Sequence, residues 1–369
     1  MIYRILMLGA VVAVLTSCDS SQPAKPTTDL VVPEIYDSAS WSANTAEAYQ
    51  IRANLDALLG LLKSARKVDV TLTSSQLMQA YQPLMQYTIP SEVDFIGQFL
   101  ENAAMASGKL HTGSAEPTDG TVGGVYGGYL FDRYGRDVDE FVQKSLFATM
   151  QYYQATLRSS GVVLPSTVDQ IVALFGANPT FPNGSVKAAQ KDVFSANYAA
   201  RRDKNDGNGF YSRFKKAALT ARAAAEKPEV YGNELNDALK EMLLIWEKSQ
   251  MATAINYSYL TITTLSATQV DDVARGKAMH TFAEAAGIIR GWKSVPPSSR
   301  MITDATLDEL TQLLLISDAN NPTCYKFWLE PAPYLNRLEQ VTKKLQAVYG
   351  FSDAEMEDFK TNWVSAQSR

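Results

Sequence analysis

The chain has 369 residues, of which 46% are hydrophobic and 20% charged, and its formal net charge is -5. This is the profile of a globular protein that buries a real core, and the length suits one large domain or two ordinary ones. Without a basic surplus there is nothing to displace counterions from phosphates, which argues against nucleic acid as a partner.

The chain opens with MIYRILMLGAVVAVLTSC: one positive charge, Arg4, and then an apolar run from Ile5 to Leu15. The run is short for a permanent membrane span and the right size for a signal-peptide core. It ends in Leu15-Thr16-Ser17-Cys18, which resembles the processing box of bacterial lipoproteins. That resemblance implies that residues 1–17 are removed and that Cys18 becomes a lipidated first residue, anchoring the protein to a membrane of the cell envelope. Losing residues 1–17 takes away Arg4 alone and leaves a formal charge of -6. With Cys18 in a thioether, Cys324 stands alone and no intrachain disulfide is expected. Residues 18–39 are rich in Pro, Ser and Thr and read as a flexible tether.

From about Ser40 the pattern becomes helical. Ile51, Leu55, Leu58, Leu59 and Leu62 recur at spacings of three and four and mark one buried face. Thr73 is placed to cap a second helix, which Pro83 kinks or ends. Ser91 is the expected cap of a third. The glycine-rich stretch GSAEPTDGTVGGVYGGYLFDRYG lacks both GxGxxG and GxxxxGK[ST], and no convincing strand precedes it, so it reads as turn chemistry, not a phosphate cradle. Another helical segment, RDVDEFVQKSLFATMQYYQATLRS, follows. Residues 40–160 therefore form a first helical bundle and residues 161–184, broken by Gly and Pro, a connection holding one short helix. Residues 185–369 form a second bundle. Long helical segments, short loops and hardly any alternating pattern give an all-α class with two antiparallel helical bundles.

Few motifs carry chemistry. DKNDGNG, residues 203–209, resembles a calcium loop, but counting from Asp203 the sixth position is Asn208 and the twelfth Phe214, so the EF-hand register fails and a polar turn is the better reading. The eighteen tyrosines are expected at helix interfaces with each hydroxyl reaching a partner. There is no GxSxG elbow and no HExxH, and with two histidines in the chain catalysis is unsupported.

One stretch stands apart. In AMHTFAEAAGIIRGW, residues 278–292, His280 and Glu284 are four positions apart on an expected helix. Gly276, His280, Glu284, Gly287 and Gly291 fall within about 80 degrees of one another around its axis. Each glycine costs roughly 1 kcal/mol against Ala in a helix, so something must approach that face closely: a neighbouring helix or a ligand. The His–Glu pair is either a satisfied core pair or two ligands of a metal site. In the second case Glu247, on the preceding long helix, is the candidate third ligand if the two helices pack antiparallel.

The same residues carry a family likeness. ARGKAMHTFAEAAGIIRGW, with LLIWEKSQMATAINYSYL before it and ITDATLDELTQLL after it, resembles the family known as domain of unknown function 4856, mostly envelope lipoproteins. YQIRANLDALLGLLKSA, SSQLMQAY and VDEFVQKSLFATMQYYQ extend the likeness over nearly the whole mature chain. That family is distantly similar to the imelysin group, iron-regulated envelope proteins of two helical bundles with a Gly-x-His-x-x-Glu motif. Here Ala278 replaces the glycine and the carboxylate falls one residue late, at Glu284. The resemblance implies a non-catalytic envelope protein of iron or haem acquisition, with iron or another divalent metal as its ligand. Two other readings stand beside it: a surface lipoprotein capturing glycans or peptides for an outer-membrane transporter, and a structural component of the envelope.

Overall fold

The structure, a computed structural model, describes residues 29–113, 122–316 and 323–369. Cys18, the expected lipidation site, lies outside the described residues, as do the signal segment and much of the tether.

Of the described residues 66% are helix and 3% strand, which bears out the helical class. The first elements are α1 (Trp41–Asn44), α2 (Ala46–Ser64), α3 (Ser74–Met85) and α4 (Pro90–Ala106). Ile51, Leu55, Leu58, Leu59 and Leu62 of α2 are all buried, as their spacing predicts. Thr73 caps α3 through a full capping box with Gln76, satisfying two amides that a helix start leaves open, and α3 ends two residues beyond Pro83. The start of α4 differs from expectation. Ile89 is its cap and Pro90 its first residue, a position where the missing proline N–H costs nothing, so Ser91 already lies inside the helix.

The glycine-rich stretch also holds more than turns. Strands β1 (Gly123–Tyr126) and β2 (Tyr129–Asp132) form an antiparallel hairpin closed by Gly127 and Gly128. Both glycines have positive φ, 56° and 86°, as a type I′ hairpin turn requires at its two central positions.

Next, α5 (Val138–Leu146) runs through a π-helical segment, Phe147–Tyr152, into α6 (Tyr153–Ser159). The connection carries α7 (Pro165–Phe175), and α8 (Phe194–Arg201) and α9 (Phe210–Ala224) follow. The central pair is α10 (Pro228–Leu265) and α11 (Asp272–Ser294). Then come α12 (Asp304–Leu313), α13 (Lys326–Leu329), α14 (Pro331–Tyr349), α15 (Asp353–Asp358) and α16 (Trp363–Ala366). Residues from both halves, Tyr36 to Phe359, share one contiguous hydrophobic core. Across that core α5 of the first half lies directly on α11 of the second. None of the described helices is long and apolar enough to cross a membrane.

The glycines of α11 explain how closely its neighbours lie. A Cβ on Gly287 would meet the Phe141 carbonyl oxygen at 2.8 Å, and one on Gly291 the Ser145 carbonyl oxygen at 2.6 Å, so α5 sits backbone to backbone on that seam. A Cβ on Gly276 would meet Gly127 Cα at 2.8 Å, so the hairpin turn rests on the same helix face. The close approach read from the sequence is thus made by the protein itself, over the three glycines that flank His280 and Glu284.

Candidate functional site

Where α5 and the hairpin cover α11, a charged cluster is shut into the interior. All nine residues of α5 are buried, among them Asp139, Glu140 and Lys144. Glu140 and Lys144, four apart, face each other along one side of the helix, with Lys144 Nζ 2.5 Å from Glu140 Oε2. From α11, Glu284 brings Oε1 to 3.1 Å from the same ammonium. Gln143 Oε1 accepts from it at 2.6 Å, and the Tyr198 ring of α8 lies 4.7 Å from it.

His280 sits one turn before Glu284. Its Nδ1 is 2.6 Å from Asp137 Oδ2 at the N-terminal end of α5, and the Tyr129 ring of β2 stacks on the imidazole with centroids 4.4 Å apart. Its Nε2 points toward Glu284, 3.9 Å from Oε2, too far for a hydrogen bond. Ligand atoms of Glu140, His280 and Glu284 all lie within 4.8 Å of one another. Arg66, just beyond α2, closes the outer side with a fork to Asp139 at 2.8 and 3.0 Å, while reaching Glu140 at 3.6 Å and Asp137 at 3.9 Å. Its guanidinium also covers the Tyr129 ring.

The charges do not balance. Asp137, Asp139, Glu140 and Glu284 supply four carboxylates, and Arg66 and Lys144 supply two buried or half-buried cations. With His280 neutral, these groups alone leave two negative charges over, of which the buried Arg202, acting on Glu284 from farther off, offsets part. The half-exposed Lys63, 3.9 Å from Glu140, offsets little because solvent screens it. Burial pushes Asp137 up to about 7. It does the same to Asp139, with the charge of Asp137 adding to the rise. Burial also raises Glu284 against the pull of Lys144. Glu140 goes the other way: burial would lift it, but Lys144 and then His280 bring it down to about 2. Burial lowers His280, although Glu284 and Glu140 oppose the shift. The cluster therefore relieves its surplus either by taking up protons or by taking up a cation.

The donor set fits a cation. One imidazole and two carboxylates suit iron, manganese or zinc, and the Asp137–His280 contact is the carboxylate–histidine arrangement that fixes which ring nitrogen faces a metal. Asp137 Oδ1, fully buried, has no hydrogen-bond partner. Ligand atoms about 2.1 Å from a four-coordinate ion stand roughly 3.4 Å apart, so the three would draw together by about 1 Å. Against this, Lys144 already holds one positive charge between Glu140 and Glu284.

The structure brings His280 and Glu284 onto one site but not Glu247. Helices α10 and α11 do pack antiparallel, with Thr261 Oγ1 2.9 Å from Thr281 Oγ1 and Tyr257 setting its hydroxyl against Glu284. Glu247 lies ten residues along α10 from Tyr257, roughly 15 Å at the helical rise. There it is buried and accepts the amides of Met301 at 2.8 Å and Ile302 at 3.0 Å and the Tyr349 hydroxyl at 2.7 Å. It anchors a loop and α14. The residues that complete the cluster, Asp137, Asp139, Glu140, Lys144, Arg66 and Tyr129, escape a sequence reading. The one local signal is the charge-dense start of RDVDEFVQK.

Comparison with family models, curated proteins and solved structures finds no match for the chain.

Proposed function

We propose that the protein is a lipid-anchored component of the bacterial envelope that binds a divalent metal ion, iron foremost, through Glu140, His280 and Glu284, without catalysing a reaction. The observation that carries this reading is the excess of buried carboxylates over cations around a histidine whose Nδ1 is engaged by Asp137 and whose Nε2 lies 3.9 Å from Glu284, beyond hydrogen-bond reach. A bare ion suits the site better than haem. A porphyrin needs an open face at its ligand, and the imidazole is flanked by Asp137 and covered by Tyr129. The anchor rests on the signal segment and Leu15-Thr16-Ser17-Cys18, and the likeness to envelope lipoproteins of the imelysin kind points the same way. Palmitate labelling tests the anchor: Cys18→Ser abolishes label and membrane fractionation, and unchanged labelling defeats that part of the proposal.

Lys144 supports one other reading, in which the ammonium is the resident cation and the cluster only joins α5 to α11. Calorimetric titration of the wild type with Fe(II), Mn(II) and Zn(II) separates the two. The metal reading expects saturable binding that His280→Ala weakens at least tenfold, about 1.4 kcal/mol. The network reading expects none.

A further inference from the structure

The loop Asp203–Gly209, which fails as a calcium loop, forms one wall of a second site. Asp203 is fully buried and turned onto the backbone, its Oδ1 accepting the Asn205 amide at 2.5 Å and its Oδ2 the Ser212 amide at 2.7 Å. It thereby closes the loop and caps the first turn of α9. The residue before it, Arg202, is only 7% exposed. Its NH1 donates to the Phe359 carbonyl, its Nε has no partner, and among the described residues no carboxylate lies within ion-pair distance of it. A buried guanidinium that no carboxylate contacts, with Glu284 acting on it only from farther off, is a costly arrangement, and arginine is rarely buried unpaired. Burial pulls Arg202 down to about 10, which still leaves it charged at neutral pH.

Arg202 lines a cavity of about 170 Å³ together with Asn208, Gly209, Phe210 and Phe359. The other charged residues on the cavity wall are already engaged. Lys204 pairs with Asp358 at 2.6 Å and Arg213 with Glu241 at 2.5 Å. Glu355 accepts from the Ser352 amide and hydroxyl, each at 2.8 Å, and Asp206 from the Asn208 amide at 2.9 Å. Of the three cations on this wall, Arg202 is the one that no carboxylate contacts among the described residues, while Asp206 and Glu355 are held by neutral donors alone. Beside Arg202, Gly209 precedes the fifteen-residue α9, whose first turn the Asp203 carboxylate already caps.

We propose that this cavity binds a small oxyanion, a single carboxylate or phosphate group, on the guanidinium of Arg202, with Phe210 and Phe359 against its apolar part. The cavity shares no lining residue with the metal cluster, although Arg202 feels the charge of Glu284 across the interior. Titration of the full chain with sodium acetate and with inorganic phosphate, each against sodium chloride of equal ionic strength, tests the proposal and tells the two groups apart. Wild type is expected to bind one of them saturably and to gain thermal stability above the chloride control. Arg202→Met is expected to weaken binding at least tenfold. Because Arg202 also holds Phe359, the exposed Asn208→Trp serves as the second variant: it fills the cavity mouth, leaves the anion-free melting point unchanged and also weakens binding tenfold. No saturation beyond chloride in the wild type, or unchanged affinity in Asn208→Trp, overturns the proposal.

Discussion

His280 Nδ1 lies 2.6 Å from Asp137 Oδ2, which leaves Nε2, 3.9 Å from Glu284 Oε2, as the nitrogen open to a metal. A neutral ring that donates from Nδ1 presents a lone pair at Nε2, and a lone pair facing carboxylates is relieved by a proton or by a cation between them. Asp137→Asn removes the charge and leaves the ring's orientation to an amide. The expected outcome is a 10- to 100-fold loss of metal affinity, read by calorimetry, with the fold retained.

The same cluster sets a pH dependence whose sign follows from the shifts. Asp137 and Asp139 keep protons up to about pH 7 when folded, whereas an unfolded aspartate releases its proton near about 3.9. Between those values the folded state binds more protons, so stability falls as pH rises. Asp192, pushed up to about 6 by burial, adds to the fall. His280, held neutral by burial, opposes it, and Glu140 acts only at more acid pH. The metal-free protein should therefore melt lower at about pH 8 than at about pH 5. Manganese should reverse that slope, because metal requires deprotonated carboxylates. Melting curves at both pH values, with and without the ion, check this, and Asp139→Asn should flatten the metal-free slope.

Lys144 is the strongest competitor for the ion. Lys144→Met leaves Glu140 and Glu284 buried without their shared cation, a loss of about 3–5 kcal/mol in chemical denaturation. Divalent metal should restore part of that loss and raise the melting point of the variant more than that of wild type. A variant destabilised to the same degree with and without metal would place Lys144 as the permanent occupant.

How much of this was legible in the sequence depends on the range of the interaction. The buried face of α2 and the Thr73 cap are local patterns, and both are found where spacing and residue type put them. The glycines of α11 announce a close approach, yet nothing local says that α5 and the Gly127–Gly128 turn make it. The hairpin had its own signal, two glycines between VY and YL, hidden because four-residue strands are too short to show alternation. The site was half legible. His280 and Glu284 share a helix face, but Asp137 is 143 residues from His280, and Arg66 is 73 from Asp139. Helix α5 carries a polar face that reads as solvent-exposed in the sequence, yet all nine of its residues are buried because other elements, not water, meet its charges. Glu247 failed as a ligand for a similar reason: antiparallel packing was the right expectation, and the register between the helices was the missing quantity.

Glu247 also supplies the control for the central claim. Buried and anchored on Met301, Ile302 and Tyr349, it should matter for stability alone: Glu247→Gln is expected to cost about 1–3 kcal/mol and to leave metal affinity unchanged. The most direct measurement is calorimetric titration of Fe(II) or Mn(II), without oxygen, into wild type, His280→Ala, Glu284→Gln and Glu247→Gln. The account predicts one saturable site in wild type and in Glu247→Gln, and affinity at least tenfold weaker in the other two. Absence of saturable binding in wild type, with His280→Ala and Glu284→Gln merely less stable, would contradict it.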